Sequence, residues 1–234
     1  MTRIVEVMLE ANYTLIQLDD GKANALGFAM LEQIGAALDS AEKAGKVVII
    51  AGRPGKFSAG FDLSVMSGGG DEMLKLLRAG ADLSQRLLNF PTPVVLAVSG
   101  HALAMGALLL LSSDYRVGTR GNYKIGLNEV AIGMTLPWFG IELARARIAS
   151  IHLNNAVGLA RIYDADAAVD VGYLDEAVDA EAVLPRAIAV AEDLAALDMQ
   201  AHQQSKARIR EGLNTALATA FDRESANTAF VAQQ

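Results

Sequence analysis

The stretch SGHALAMGALLLLSSDYRVGTRGNYKIGLNEVAIG, residues 99–133, decides how we interpret the fold and the chemistry of this chain. A turn of small residues, Ala104-Met105-Gly106, opens the apolar run 102–111, which is typical of a buried helix. Because the first amides of a helix are unpaired and lie at the positive end of its dipole, this turn is suited to hold an oxyanion. Further along, apolar neighbours surround Glu129 and are expected to raise its pKa, as in a general base.

Strands and helices alternate on the N-terminal side of this stretch. Residues 3–18 alternate apolar and polar side chains in two blocks, which predicts a β-hairpin. Helical spacing predicts helices over 28–44 and 71–88, whereas the continuous apolar runs 47–51 and 94–98 predict strands that are covered on both faces. The repeated order of strand, helix and strand predicts an α/β fold with a parallel sheet and helices outside it.

The C-terminal side is mainly helical. Helical patterns extend over 138–147, 148–160, 181–195, 198–211 and 213–230. Between them, residues 164–178 predict a short helix, a turn at Gly172 and an edge strand. We therefore expect one core domain over residues 1–190, followed by a helical cap or oligomerisation segment over 191–234.

Composition limits the expected partners. The chain has 20 basic and 27 acidic residues, a net charge of -7, and no basic run, so neither nucleic acid nor a membrane surface is expected to bind. It has no cysteine, which excludes disulfides, thiolate nucleophiles and Cys-based metal sites and suits a cytoplasmic location. The longest apolar run, 102–111, has about half the length that spans a bilayer. The N-terminus has no signal-peptide layout.

Other motifs fail on spacing. GRPGKFS, residues 52–58, has too few residues between its glycines for a phosphate-binding loop. Ser58 lacks the preceding glycine of a nucleophile elbow, which argues against a serine hydrolase. The histidines have no metal-ligand spacing, so we predict no metal site; they are His101, His152 and His202.

Taken alone, Glu129 and the turn at Gly60 would indicate only a solvated carboxylate and a packing turn. Their order, however, resembles the crotonase (enoyl-CoA hydratase/isomerase) superfamily from about residue 12 to residue 185. The matching segments are KANAL (22–26), AGRPGKFSAGFDL (51–63), PTPVVLAVSGHALAMGALLLLSSDYRVG (91–118), YKIGLNEVAIG (123–133) and ARIYDADAAVDVGYLDEAV (160–178). The resemblance implies an α/β crotonase-like spiral of ββα repeats with helical C-terminal segments, assembled as a homotrimer or a dimer of trimers.

The same resemblance implies an acyl-CoA thioester ligand, with its oxygen held by the backbone amides of Phe61 and Met105 and with Glu129 as the catalytic residue. It implies no separate cofactor, because coenzyme A is part of the substrate. The positions that match the CoA-binding part are Lys22, Ala23, Ala25, Ala59, Gly60, Asp62 and Leu63. The phosphates would meet Lys22 or Lys56. The acyl pocket would be lined by Leu108, Pro137, Trp138 and Phe139.

One departure from the hydratases of this family bears on the reaction. Those enzymes carry two catalytic glutamates, and the position that matches the first glutamate is occupied by Leu108 in this chain. A single Glu129 suffices for a proton shift, as in the Δ3,Δ2-enoyl-CoA isomerases of fatty acid β-oxidation, which the chain resembles most, including the Pro-aromatic stretch 136–139. Asp62 and Asp114 are the nearest other carboxylates by sequence. Two alternatives stay open: a weak hydratase or other enolate-forming crotonase, and an acyl-CoA-binding protein without turnover.

Overall fold

Two sheets carry the fold in the computed structural model of the chain, which describes residues 2–226. Its strands are β1 (Val5–Leu9), β2 (Tyr13–Leu18), β3 (Val47–Ala51), β4 (Gly55–Ser58), β5 (Val94–Val98), β6 (Gly100–Leu103), β7 (Tyr115–Thr119), β8 (Ile125–Gly126) and β9 (Glu176–Val178). The larger sheet has the order β1-β2-β3-β5-β7-β9, and the smaller one has the order β4-β6-β8. Apart from the antiparallel hairpin β1–β2, the neighbouring strands are parallel.

Helices follow successive strand pairs. They are α1 (Phe28–Ala44), α2 (Leu63–Met66), α3 (Gly70–Leu88), α4 (Met105–Leu111), α5 (Trp138–Arg147), α6 (Leu153–Ala156), α7 (Ala165–Val171), α8 (Val183–Ala195), α9 (Met199–Ile209) and α10 (Glu211–Ala226). Short 3-10 turns cover Val130–Ile132, Ser150–His152 and Ala180–Ala182. Each pair places one strand in each sheet from β3–β4 onward, so the predicted spiral of ββα repeats is confirmed.

The central strands are apolar on both faces because each face meets its own core. Every residue of β3 and β5 is buried. In β3, Val48 and Ile50 join a large core that includes α1, α3 and α4, whereas Val47 and Ile49 join a smaller core closed by α8. This two-sided burial confirms the covered parallel strands that the continuous apolar runs predicted.

The predicted helix over 102–111 is shorter than expected. Strand β6 extends to Leu103, Ala104 turns the chain with φ 50° and ψ −124°, and α4 begins only at Met105. The apolar run therefore contains a buried strand end and a buried helix, which hydrophobicity does not distinguish over so few residues.

Other element predictions were partly wrong. The pattern over 148–160 is broken into a 3-10 turn and the four-residue helix α6, and it ends at Ala160 with φ 48°. Phe28 belongs to the apolar positions that recur at helical spacing over 28–44, but it is 39% exposed because it is the first residue of α1. The predicted edge strand at the end of 164–178 is confirmed by β9.

The C-terminal helices lie against the preceding fold. Helix α8 packs on β3, β5 and β7, and α10 packs on α5. Residues 227–230 of the last predicted helix, like the end of the proposed segment 191–234, lie outside the described residues, and the division at residue 190 stays a prediction. Within residues 2–226, no helix combines the length and the apolar character needed to cross a membrane.

Candidate active site

The two predicted oxyanion loops meet at Gly60. A β-carbon on Gly60 would lie 2.8 Å from Ala104 Cβ and 3.2 Å from Met105 N, closer than ordinary packing allows. Gly60 also has φ +96°, a conformation that favours glycine. Because Phe61 follows Gly60 directly, this close approach brings Phe61 and Met105 to adjacent positions.

The backbone hydrogen bonds leave the N–H groups of Phe61 and Met105 without an acceptor in their own strand or helix. Leu26 donates its N–H to Gly60 O at 2.8 Å and accepts from Asp62 N at 3.4 Å. These bonds use the groups on either side of Phe61, so the Phe61 N–H points to the opposite side of the strand. Met105 is the first residue of α4, and its amide has no acceptor within that helix. Two amides from neighbouring loops are thus suited to hold one oxygen atom.

A buried polar network fixes the Gly60 loop, and sequence reasoning missed it. The Asn24 side chain is fully buried and donates through Nδ2 to Leu18 O and Phe57 O, both at 3.1 Å. Ser58 donates its hydroxyl to Asn24 O at 2.8 Å and accepts the Gly60 N–H at 3.2 Å. An asparagine in a short loop of small residues was the available signal, because it tolerates the left-handed conformation that Asn24 adopts with φ 51°.

Strand pairing carries Glu129 towards the same turn. Strands β6 and β8 are parallel with Leu103 opposite Gly126, and Ala104 donates its N–H to Gly126 O at 3.1 Å. Glu129 follows Gly126 after two residues, and its carbonyl accepts the Met134 N–H at 2.9 Å. The predicted base therefore leaves β8 at the end where the oxyanion turn leaves β6.

Burial makes Glu129 an unusual carboxyl group. Its residue is 7% exposed, and its Oε2 has no hydrogen-bond partner in the described part of the chain. Desolvation raises the pKa of Glu129 to about 7, with its own backbone N–H acting in the opposite direction. The expectation of a raised pKa is confirmed, and at neutral pH the group can both accept and return a proton.

The predicted acyl-pocket residues are gathered where α4 meets the start of α5. Leu108 is 1% exposed, and a β-carbon on Gly140 of α5 would lie 3.2 Å from its Cδ1. Phe139 is buried in the core, whereas Pro137 and Trp138 are half-buried. The Arg223 guanidinium of α10 lies 3.4 Å from the centre of the Trp138 ring. The role of these residues as pocket walls stays a prediction.

Neither of the nearest other carboxylates by sequence is free to assist Glu129. Asp62 caps α2 and accepts from Ser64 N at 2.9 Å and Ser64 Oγ at 2.7 Å. Asp114 forms buried ion pairs with Lys206 at 2.6 Å and with Arg210 at 2.7 Å. Leu108, which the family resemblance matches to the first glutamate of the hydratases, is an apolar residue next to the predicted oxyanion turn.

The predicted CoA-binding residues fall on two paired loops. Ala59 donates its N–H to Ala23 O at 3.0 Å, and the residues concerned are Lys22, Ala23, Ala25, Ala59, Gly60, Asp62 and Leu63. Lys22 is exposed and Lys56 is half-buried on β4. Arg53, which sequence reasoning did not consider, donates to Lys22 O at 2.6 Å and pairs with Asp19 at 3.1 Å. The contact of Lys22 or Lys56 with phosphate stays a prediction.

Two tyrosines near Glu129 were also missed. Tyr163 pairs with Ile125 of β8, with N–H to O distances of 2.9 Å in both directions. The Tyr173 ring lies 6.0 Å from the Tyr163 ring, and the charge of Glu129 is close enough to act on the Tyr173 hydroxyl. Nothing in the local sequence pattern indicates this, because the tyrosines come from a later helix-turn-strand segment.

Comparison with known proteins agrees with this geometry. Human mitochondrial enoyl-CoA delta isomerase 1 is 28% identical over 229 residues, which cover 96% of this chain and 76% of that protein. One Mycobacterium tuberculosis protein is described as an enoyl-CoA isomerase in one structure and as a probable enoyl-CoA hydratase in another; the first structure is 38% identical with a TM-score of 0.93 and covers 97% of this chain and 99% of that one. An enoyl-CoA hydratase from Mycobacterium marinum has the same identity and TM-score, with 97% and 100% covered. Residues 9–234 match the family model described as enoyl-CoA hydratase/isomerase, and the chain belongs to that family.

Proposed function

We propose that this protein is a Δ3,Δ2-enoyl-CoA isomerase that acts on acyl-CoA thioesters. The observation that supports this choice within the family is that Glu129 is the one buried carboxylate residue among the side chains that the structure describes, whereas Leu108 is apolar. Water addition in the two-glutamate hydratases needs a second carboxylate, and the nearest ones here by sequence, Asp62 and Asp114, bind other groups. A proton shift needs one base and one oxyanion site.

The proposed reaction begins at C2 of a 3-enoyl-CoA. Glu129, in its carboxylate form, removes a proton from C2, and the electrons of that C–H bond move into the thioester to give a dienolate. The amides of Phe61 and Met105 hold the negative oxygen, for which one donor is typically worth about 10²- to 10³-fold in rate. The neutral Glu129 carboxyl then returns the proton to C4, so the double bond shifts from C3–C4 to C2–C3.

The pKa of Glu129 supports this cycle. A group with a pKa of about 7 is partly ionised at neutral pH and serves as base in the first step and as acid in the second. We propose that the coenzyme A part lies along the loops 22–25 and 59–63 and that the acyl chain lies between α4 and α5. A homotrimer or dimer of trimers is part of the same proposal.

A second candidate is an enoyl-CoA hydratase, because a relative of that name from Mycobacterium marinum is as similar to this chain as the isomerase from Mycobacterium tuberculosis. The two activities are separated by one absorbance assay at the enoyl thioester band. Isomerisation of 3-hexenoyl-CoA raises the absorbance, whereas hydration of 2-hexenoyl-CoA lowers it. We expect the absorbance to rise with 3-hexenoyl-CoA and to stay unchanged with 2-hexenoyl-CoA.

The matched variant for this assay is Glu129→Gln, which keeps the size of the side chain. We expect it to abolish turnover and to leave acyl-CoA affinity nearly unchanged, because the thioester is held by backbone amides. A fall in absorbance when the unaltered protein is given 2-hexenoyl-CoA would favour the hydratase. Binding of both thioesters without any absorbance change would favour a non-catalytic acyl-CoA-binding protein.

A further inference from the structure

Three buried oxygen atoms without partners belong to residues near the end of β8, and one of the three is on the proposed base itself. They are Glu129 Oε2, Tyr163 Oη and Tyr173 Oη, none of which has a hydrogen-bond partner in residues 2–226. Tyr173 is 0% exposed and Tyr163 is 5% exposed. Buried polar groups are almost always hydrogen-bonded, and leaving one unpaired typically costs about 1–3 kcal/mol. A tyrosine hydroxyl can donate and a carboxylate can accept, so Tyr173 Oη and Glu129 Oε2 are able to satisfy one another.

The connections of the two tyrosines place them around the end of β8. The backbone of Tyr163 is hydrogen-bonded to the backbone of Ile125. The Leu127 backbone lies near enough to the Tyr173 hydroxyl to lower the pKa of Tyr173, although the hydroxyl has no hydrogen-bond partner in the described residues. Leu127 lies two positions before Glu129 in the chain. Tyr173 itself is fixed by the bond from its N–H to Ala168 O at 2.9 Å, immediately after the glycine that ends α7.

We propose that Tyr173 is a positioning residue for Glu129, and that its hydroxyl donates a hydrogen bond to Oε2 of the ionised carboxylate. The inference rests on the isomerase function proposed above. With Oε2 held, the other carboxylate oxygen carries the proton between C2 and C4 without rotation of the whole group. The Tyr163 ring lies 6.0 Å from the Tyr173 ring and packs beside it.

The Tyr173 hydroxyl remains a donor rather than a proton carrier. Burial, followed by Tyr163 and Glu129, raises the pKa of Tyr173, so the hydroxyl stays protonated at every pH where Glu129 titrates. Arg161 is the charged group that faces Tyr163: its guanidinium lies 5.4 Å from the centre of the Tyr163 ring. Burial raises the pKa of Tyr163, and the charge of Arg161 lowers it. Glu129, and not Tyr173, is therefore the group that changes its charge near neutral pH.

The first test is a titration that needs no substrate. Protein labelled with ¹³C at the glutamate carboxyl carbon is followed by NMR against pH, and the Glu129 signal is assigned by its loss in Glu129→Gln. A hydrogen bond to the ionised form lowers a carboxyl pKa, so we expect Tyr173→Phe to raise the Glu129 midpoint by about one pH unit. The control is Tyr13→Phe, which lies in the smaller core closed by α8 and should leave the midpoint unchanged.

The second test is the pH profile of isomerisation. The pKa of about 7 is that of Glu129 without a partner for Oε2. If Tyr173→Phe raises the Glu129 pKa by about one unit to this value, the ionised fraction at pH 6 falls about five-fold, whereas at pH 9 the two proteins are nearly equally ionised. We therefore expect kcat for Tyr173→Phe to fall about five-fold at pH 6 and to recover at pH 9, with KM unchanged. A structural defect would lower activity at both pH values.

The two tests fail separately. An unchanged Glu129 midpoint in Tyr173→Phe overturns the positioning role, whatever the enzyme's reaction is. A shifted midpoint in a protein that isomerises no 3-enoyl-CoA keeps the Tyr173–Glu129 link and overturns the proposed function instead. A thermal unfolding midpoint of Tyr173→Phe within a few degrees of that of the unaltered protein shows that the variant is folded, because phenylalanine keeps the ring that packs in the core.

Discussion

Gly60 and Met105 approach so closely that a β-carbon on Gly60 would lie 3.2 Å from the Met105 backbone nitrogen. The contact holds the two proposed oxyanion loops at a fixed separation, although they belong to different ββα repeats. A small residue is needed at Gly60 because the neighbouring backbone of Leu103 is 3.0 Å from the same point. The spacing of the two amides therefore depends on backbone packing rather than on the side chains of Phe61 and Met105.

Gly60→Ala should damage catalysis more than stability. The added methyl group must push Ala104 and Met105 away, and loss of one oxyanion donor costs about 10²- to 10³-fold in kcat. The positive φ adds about 1–2 kcal/mol to the loss of folding stability. Isomerase kinetics and urea unfolding of the same preparation measure both effects.

The control for this substitution is Gly45→Ala at the end of α1. Gly45 also has a positive φ, +64°, but nothing lies within 4 Å of a β-carbon there. We expect it to lose a similar amount of stability and to keep its kcat. Equal loss of kcat in both variants would contradict the argument from loop separation.

Glu129→Gln should make the protein more stable at pH 8 and leave stability unchanged at pH 4. Burial raises the pKa of Glu129 from 4.5 in an unfolded chain to about 7, so the folded protein binds the extra proton more tightly. The stability from this proton is fully present below pH 4.5 and is lost as the pH rises through 7. A shift of this size corresponds to roughly 3 kcal/mol. Urea unfolding of both proteins at the two pH values measures it, and an equal difference at both would exclude a titrating Glu129.

The continuous apolar runs predicted the central strands β3 and β5 of the larger sheet, but they did not predict the smaller sheet. Runs such as 47–51 are long enough and apolar enough to indicate a covered strand. Strand β4 has only four residues and β8 has only two. The apolar residues of β6 run directly into those of α4, so the sequence shows no boundary between this strand and the helix. No periodicity can be read from such segments, so the second sheet followed only from the family resemblance.

The site was predictable where its chemistry depends on local sequence. Apolar neighbours of Glu129 indicated a raised pKa, and burial explains why the pKa is raised. Asn24 and Tyr173 were not predicted as site residues, because their importance comes from contacts between distant segments. A tyrosine after a helix-ending glycine is typical core sequence, and only the fold brings it towards Glu129.

Leu108→Glu tests whether one residue separates the two reactions of the family. The new carboxyl group would lie beside the oxyanion turn, where the hydratases carry their first glutamate, and we expect it to produce measurable loss of 2-hexenoyl-CoA absorbance. Burying it between α4 and α5 should lower the free energy of unfolding by about 2–4 kcal/mol. Leu108→Gln is the matched control, since it has the same shape and cannot ionise. Hydration by the glutamine variant would show that the carboxylate is not required.

Asp114 anchors helix α9 to the sheet, and its removal should be strongly destabilising. It accepts the Val94 N–H at 2.8 Å and pairs with Lys206 and Arg210, which are 6% and 7% exposed. Asp114→Ala leaves both cations buried without an opposing charge, a loss typically of about 3–5 kcal/mol. Urea unfolding at pH 7 measures this loss.

The comparison variant for Asp114→Ala is Asp166→Ala, which breaks an ion pair with Arg120 at 3.0 Å. Because the Asp166 side chain is 70% exposed, water and salt screen the pair, and its loss should hardly change stability. The contrast separates the effect of burial from that of charge number, because each variant removes one negative charge. Similar unfolding curves for the two would mean that the Lys206 and Arg210 charges reach water when Asp114 is absent, and that α9 is not held by this ion pair.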